Sequence, residues 1–209
     1  FSSGIPRAFL NSCIVSLSAT SITLVLGCLA GYGFSRYRFR GRKAMYAGLL
    51  YGQMMPSVVL IIPLYQMFSK IGLIDSYFSL ILPDVVITVP LATLMLKSFF
   101  DGVPKALEEA ARIDGAKKTQ VLLHIMLPIA KPGLVSVGIY TFLTTWEEFI
   151  FALNLTNSAA IRTLPIAIDM FKGEFVIDWG AVISLPVMLL FVLCNKVFVK
   201  GLSEGGVKG

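Results

Sequence analysis

Long apolar runs broken by short charged clusters set the rhythm of this chain. A helix crossing a bilayer needs about 20 mostly apolar residues. Five stretches meet that length: 10–34, 44–68, 77–96, 133–154 and 179–198. No soluble domain fits between them. The pattern therefore predicts an all-α integral membrane protein with a single transmembrane domain over 1–209.

One interruption stands apart. The stretch EEAARIDGAKKTQVLLHIMLPIAKPG, residues 108–133, is charged and carries a glycine in its middle. Pro104 suits the first turn of a helix, where its missing N–H has no partner to lose. Leu107, Ala110 and Ala111 then share a face, and Lys105–Glu109 and Glu108–Arg112 are spaced four apart for ion pairs. Asp114-Gly115 signals a turn, with Gly115 able to take the left-handed conformation that closes a helix. A second helix is expected from 116 to 126, with Val121, Leu122 and Ile125 apolar. Leu127-Pro128 should end it, and Pro132-Gly133 should open the next span. The expected object is a short charged helix-turn-helix at 101–128 lying across one end of a membrane bundle. A plainer reading is a solvated amphipathic connector on the membrane surface.

Prolines fall inside the spans: Pro56 and Pro63 in the second, Pro83 and Pro90 in the third, Pro186 in the fifth. Each frees backbone carbonyls that need new partners. They are expected to break the second and third spans, and several kinked helices together favour a protein with a central pathway over a passive anchor.

Composition supports the membrane class. Hydrophobic residues make up 56% and charged residues 14% of 209, against about 25% charged in a soluble domain, and the mean hydropathy is +0.80. The net charge of +6 would suit a nucleic-acid partner, but the positive-inside rule explains it in a chain this apolar. Arg36, Arg38, Arg40, Arg42 and Lys43 cluster after the first span and mark that end as cytoplasmic. Alternation then puts 97–132 and the C-terminus in the cytoplasm too, leaving Arg7, Lys70, Arg162 and Lys172 outside. The chain starts at Phe1 with no charged leader, and an outside start is what a missing first helix would produce. Cys13, Cys28 and Cys194 sit in apolar runs without metal-ligand spacing and read as small core residues.

Acids at membrane depth face a cavity or a partner, because a charge in lipid costs about 2.5–3.5 kcal/mol. Asp84 is expected as a cap on a helix broken at Pro83, with pathway lining as the alternative. Trp146, Glu147 and Glu148 lie midway along the fourth stretch. A carboxylate there can bond the hydroxyls of a polar solute and Trp offers an apolar face, while hydrogen bonding between helices is the competing reading. Asn154, Gln53, Tyr51 and Tyr65 are further candidates of this kind. His124, the single histidine, reads as packing or interface. Neither a phosphate-cradling GxxxxGK[ST] loop nor a nucleophile–base set occurs, so neither ATP binding by that route nor catalysis is expected.

The hairpin carries a more specific signal. Glu109-Ala110-Ala111, three residues, Gly115, nine residues, Ile125, one residue and Leu127-Pro128 resembles the cytoplasmic signature loop of bacterial ABC importer permeases. PRAFLNS at 6–12, YRFRGRK at 37–43, TWEEFIFAL at 145–153 and GLSEGGVKG at 201–209 extend the resemblance over nearly the whole chain, toward the shorter maltose-type sugar permeases. It implies an ABC type I importer permease with five of six family spans present. It further implies a second permease subunit, two cytoplasmic ATPase subunits holding ATP and magnesium, an extracytoplasmic solute-binding protein and a lipid membrane as partners, with no cofactor in this chain and no nucleic acid. Glu109, Ala110, Ala111, Asp114, Gly115, Ile125, Leu127 and Pro128 would form the ATPase-coupling site. Glu204, Gly205, Gly206 and Lys208 in the tail would contact the ATPase. The alternatives are an energy-independent carrier or scaffold, an intramembrane enzyme, or a permease for another polar solute such as glycerol-phosphate.

Overall fold

A computed structural model of the protein describes residues 4–171. The expected fifth span at 179–198, with Pro186 and Cys194, lies outside the described residues, as do Lys172 and the tail residues Glu204, Gly205, Gly206 and Lys208. Every regular element among the described residues is helical.

Helix α1, Ile5–Arg36, runs 32 residues without a break, with its one proline, Pro6, at the N-terminus where no helical hydrogen bond is lost. It packs along α4, Tyr77–Asp101. Small residues permit the close approach. A Cβ on Gly31 would lie 2.9 Å from the backbone nitrogen of Lys97, and one on Gly27 would lie 3.0 Å from the Ala92 Cβ. The Thr23 and Thr88 hydroxyls share a buried hydrogen bond of 2.8 Å across the same contact. Small residues and hydroxyl bonds are the usual devices of helix pairing in lipid, where the hydrophobic effect no longer distinguishes helix from solvent.

Two apolar clusters bracket this pair. One sits around the C-terminal end of α1 and includes Tyr32, Leu96, Phe100, Val121 and Met126. The other sits toward the opposite end with Val15, Phe68, Leu80, Phe151 and Leu155.

The prolines divide into two kinds. At Pro56 the second stretch does break: α2, Arg42–Met54, meets a 3₁₀ turn, Ser57–Leu60, and α3, Ile61–Lys70, at a bend of 99°. Pro63 does not break α3, because it stands in the first turn, where N–H groups lack helical partners anyway. The expected breaks at Pro83 and Pro90 are absent: α4 continues through both. Packing along α1 and neighbouring helices holds such a helix together where isolated peptide would kink. Asp84 is consequently no cap. It lies inside α4 at 2% exposure, and the N-terminus of α4 is capped instead by Ser76 and Ser79 in a reciprocal capping box.

After α4 come α5, Lys105–Ile113, then α6, Lys118–Val121, a π turn, Leu122–Met126, and α7, Leu127–Ile129. A bend of 78° separates these from α8, Lys131–Trp146. The fourth expected stretch, 133–154, is not one helix: α8 stops at Trp146 and α9, Ile150–Leu155, starts anew. Helix α10 covers Leu164–Phe171. By length and composition α1 and α4 can each cross a membrane, and the total among the described residues is up to four if each bent pair is one span.

Candidate functional site

The charged hairpin forms where expected, and local chemistry explains its shape. Pro104 occupies the N-cap of α5 in an extended conformation. At the other end the N–H of Ala116 bonds the carbonyl of Ala111 at 2.9 Å and that of Gly115 bonds Arg112 at 3.1 Å. This is the Schellman closure, and it requires the left-handed φ of +85° found at Gly115. Lys117 N–H then donates to the Gln120 side chain at 2.8 Å, starting α6.

The second helix outlasts its expected end at Leu127-Pro128 and runs to Ile129. The π turn at Leu122–Met126 directly precedes Pro128. Its wider register accommodates the position where proline supplies no N–H, so the break moves to Ala130.

The faces of α5 divide the expected coupling residues. Glu109, Ala110, Asp114 and Gly115 are exposed, as are Leu107 and, at 86% exposure, Ile113. Ala111 points the other way and packs on the inner cluster with Ala116 and Leu127. Ile125 is half-buried and Pro128 exposed. Between the two short helices lies a notch of about 390 Å³ lined by Asp114, Gly115, Ala116, Gln120, His124 and Ile125. His124 is thus at a surface, its Nδ1 3.1 Å from the Gln120 carbonyl.

What anchors the hairpin was not foreseen. Glu108, read only as a partner for Arg112, is buried. Its carboxylate receives Arg36 Nε from the end of α1, the Tyr32 hydroxyl at 3.4 Å and, on its outer side, Arg112 at 3.9 Å. Arg36 also donates to the Val103 carbonyl at 2.7 Å. Lys118 of α6 lies over the Tyr37 ring, 5.1 Å from its centre. Among the described residues no ion pair joins Lys105 to Glu109. The only sequence signal for Arg36 was the basic cluster itself, which speaks of topology rather than pairing.

The candidate pathway residues are spread over α2, α4, the end of α8 and α9. Trp146 is buried, stacked on Phe142 and edge-on to Phe9, with 5.6 Å between ring centres in both pairs. Glu147 is exposed at the end of α8. Glu148 bonds the backbone of α9. Asn154 is exposed and donates to the Ile150 carbonyl at 2.7 Å. Asp84 is buried inside α4, and its Oδ1 has no hydrogen-bond partner among the described residues. Gln53 lines a cleft, about 410 Å³ in volume, at the Pro56 bend. Ser57, Thr88, Tyr140 and Thr144 supply its other polar groups; none of these four was singled out from sequence.

Comparison with known proteins places this geometry among transporters. The family described as binding-protein-dependent transport system inner membrane component matches residues 23–204. The sulfoquinovosyl glycerol transport system permease protein SmoH of Agrobacterium fabrum is 35% identical over 95% of this chain and 72% of its own length. The trehalose transport system permease protein SugB of Mycobacterium tuberculosis is 36% identical over 97% and 77%. The trehalose/maltose permease protein MalG of Thermococcus litoralis is 35% identical over 98% and 76%. In fold the chain is similar to a subunit of a bacterial importer of the polysaccharide alginate, with a TM-score of 0.74 at 19% identity over 94% of this chain and 76% of that one. The MetNI methionine transporter matches with a TM-score of 0.72 at 18% identity over 94% of both chains.

Proposed function

The chain belongs to the family of binding-protein-dependent transport system inner membrane components, and on that premise we propose that it is the permease subunit of an ATP-driven importer for a sugar or oligosaccharide. The observation that carries the reading is the α5–α6 hairpin. A short helix presents Leu107, Glu109 and Ile113 to the surroundings while its opposite face is pinned to the bundle by Glu108. Exposed apolar residues beside a free carboxylate, on an element held rigidly at a bundle end, are the makings of a socket contact. An energy-independent carrier or scaffold has no use for one.

In this reading the end bearing Arg36, Arg38, Arg40, Arg42 and Lys43 is cytoplasmic by the positive-inside rule, and the C-terminus is cytoplasmic too. The hairpin seats on a partner ATPase, with Glu109 and Ala110 at the contact and Asp114, Gly115 and Ile125 forming the notch beside it. Ala111, Leu127 and Pro128 shape the hairpin from behind. Tail residues Glu204, Gly205, Gly206 and Lys208 reach the same ATPase. ATP and magnesium stay on the partners, and this chain carries neither cofactor nor catalysis. A second permease subunit completes the pore, and an extracytoplasmic binding protein delivers the solute. The names of the relatives, which include trehalose, maltose and arabinooligosaccharide systems, favour a sugar over glycerol-phosphate. The Gln53 cleft, where hydroxyl and amide groups stand among apolar ones, suits passage of a hydroxylated solute.

The test is reconstitution of the whole complex in vesicles with labelled maltose, trehalose and glycerol-3-phosphate as competing solutes. ATP-dependent sugar uptake that Glu109→Lys abolishes without releasing the permease from the membrane is the expected result. Uptake that proceeds without ATP, or that is indifferent to Glu109→Lys, overturns the reading.

A further inference from the structure

Arg36 and Glu108 lie at the seam between the hairpin and the rest of the protein. Their side chains are 5% and 6% exposed. A buried ion pair is a poor way to gain stability, since an apolar pair of similar volume often serves as well, yet losing one partner strands the other charge. Such a contact is close to all-or-none: made, it fixes position, and half-made it is untenable. The surroundings reinforce that fixity. Tyr32 and Arg36, one turn apart on α1, both reach Glu108, and Arg36 also holds the Val103 carbonyl ahead of α5.

At its other end α1 is tied just as closely. Arg7 donates to the Ala160 carbonyl at 2.9 Å. The Asn11 amide nitrogen donates to the carbonyls of Ala160 at 3.0 Å and Arg162 at 2.8 Å, while its oxygen accepts the Tyr77 hydroxyl at 2.7 Å. Ser12 accepts the Leu164 N–H at 2.8 Å. Asn11 is 2% exposed and all of its bonding atoms are engaged. Both ties lie on one unbroken helix of 32 residues, about 48 Å long at about 1.5 Å per residue and backed by α4 through its glycine contacts.

We propose that Arg36 and Glu108 are positioning residues for energy coupling: their buried pair makes the α5–α6 hairpin and α1 move as one body, and α1 carries that movement to the segment 160–164 at the far end of the bundle. The proposal rests on the transport reading above. It adds a route, internal to this subunit, between the ATPase contact and the side that meets the binding protein. Asn11 is the far joint of the same strut.

The experiment uses the full complex with its second permease, ATPases and binding protein, reconstituted in vesicles. Arg36→Met with Glu108→Leu removes both buried charges together, so neither is left facing the other's vacancy; Arg112 is half exposed and stays solvated, and the Tyr32 hydroxyl and Val103 carbonyl each lose one bond. The double variant is expected to assemble at wild-type stoichiometry with little change in thermal midpoint. The ratio of binding-protein-stimulated to basal ATP hydrolysis should fall at least tenfold, with uptake falling in parallel. A pair that only held the fold would leave that ratio unchanged, and such a result overturns the proposal. If the double variant fails to assemble, Asn11→Leu decides, because it leaves the hairpin untouched: a lowered ratio with intact assembly supports the strut, and a wild-type ratio overturns it. A wild-type complex without ATP-driven uptake would instead overturn the transport reading itself.

Discussion

Glu148 closes the gap between two helices by capping the second, its carboxylate accepting the N–H of Phe151 at 2.7 Å and of Ala152 at 3.0 Å. Helix α8 has ended two residues earlier and α9 begins two residues later, at Ile150. First-turn N–H groups have no helical partner, and lipid offers no water to replace one. Glu148→Ala is therefore expected to cost about 1 kcal/mol, read as a lowered thermal midpoint of the complex in detergent. Glu148→Gln, which keeps an acceptor oxygen, should lose less. Full thermal stability with lost uptake in Glu148→Ala would assign the acid to the solute rather than to the helix.

Gly31 and Gly33 make a paired test of the α1–α4 contact. A methyl at Gly31 meets the backbone of Lys97 at 2.9 Å and of Thr93 at 3.2 Å, neither of which can swing aside. Gly31→Ala should destabilise by about 1–3 kcal/mol, the usual range for overpacking. Nothing lies within 4 Å of a methyl at Gly33, so Gly33→Ala should be neutral or stabilise by up to about 1 kcal/mol through helix propensity. Thermal unfolding of the two variants side by side decides it; equal midpoints would rule out close packing at Gly31.

At Gly115 the obstacle is backbone conformation, not space, since the position is open around it. A β-branched residue resists φ of +85°. Gly115→Val should lower binding-protein-stimulated ATP hydrolysis several-fold while the permease still inserts, and Gly115→Asn, which tolerates the left-handed region, should retain most of it. Equal hydrolysis by both variants would remove the Schellman turn from any role in coupling.

The loop between α3 and α4 carries a pH signature. Asp75 sits at a positive φ of 62° and accepts the N–H of Asn157 at 2.8 Å and of Ser158 at 2.9 Å. The backbone N–H groups of Ser158 and Asn157 hold its carboxyl below the ordinary 3.8. A depressed folded value means that the tie is fully present above pH 3.8 and is lost as pH falls through the lower, folded value. Amide exchange at Asn157 and Ser158 should stay slow at neutral pH and accelerate, relative to intrinsic rates, only on acidification below that ordinary value. In Asp75→Ala the two amides should exchange fast at every pH. Protection that persists in the alanine variant would show that another group holds the loop.

Local chemistry was legible in the sequence wherever a signal and its partner lie within a few residues. Asp114-Gly115 announced the turn, and the spacing from Glu109 to Pro128 announced the hairpin and, by resemblance, the family that the comparisons bear out. Run length found α1 and α4. Tertiary effects escaped. Arg36 and Glu108 are 72 residues apart, and nothing in a basic cluster says which arginine turns inward. Pro83 and Pro90 looked like breaks because the helix packed beside them cannot be read from their own neighbours. The apolar run at 133–154 likewise conceals the point where α8 stops, and with it the stacking of Trp146 on Phe142 and the Glu148 cap on α9.

The ties at the start of α1 also set an order of events during synthesis. Arg7, Asn11 and Ser12 find their partners 149 to 153 residues further along the chain. At about 5–20 residues per second, the ribosome needs roughly 8–30 s to deliver them. For that interval the Asn11 amide nitrogen waits at the N-terminal end of α1 with its final partners unmade. Helix α1 is therefore sealed long after it is made, and a nascent chain halted before residue 160 would display an open polar end on α1 that marks it as unfinished.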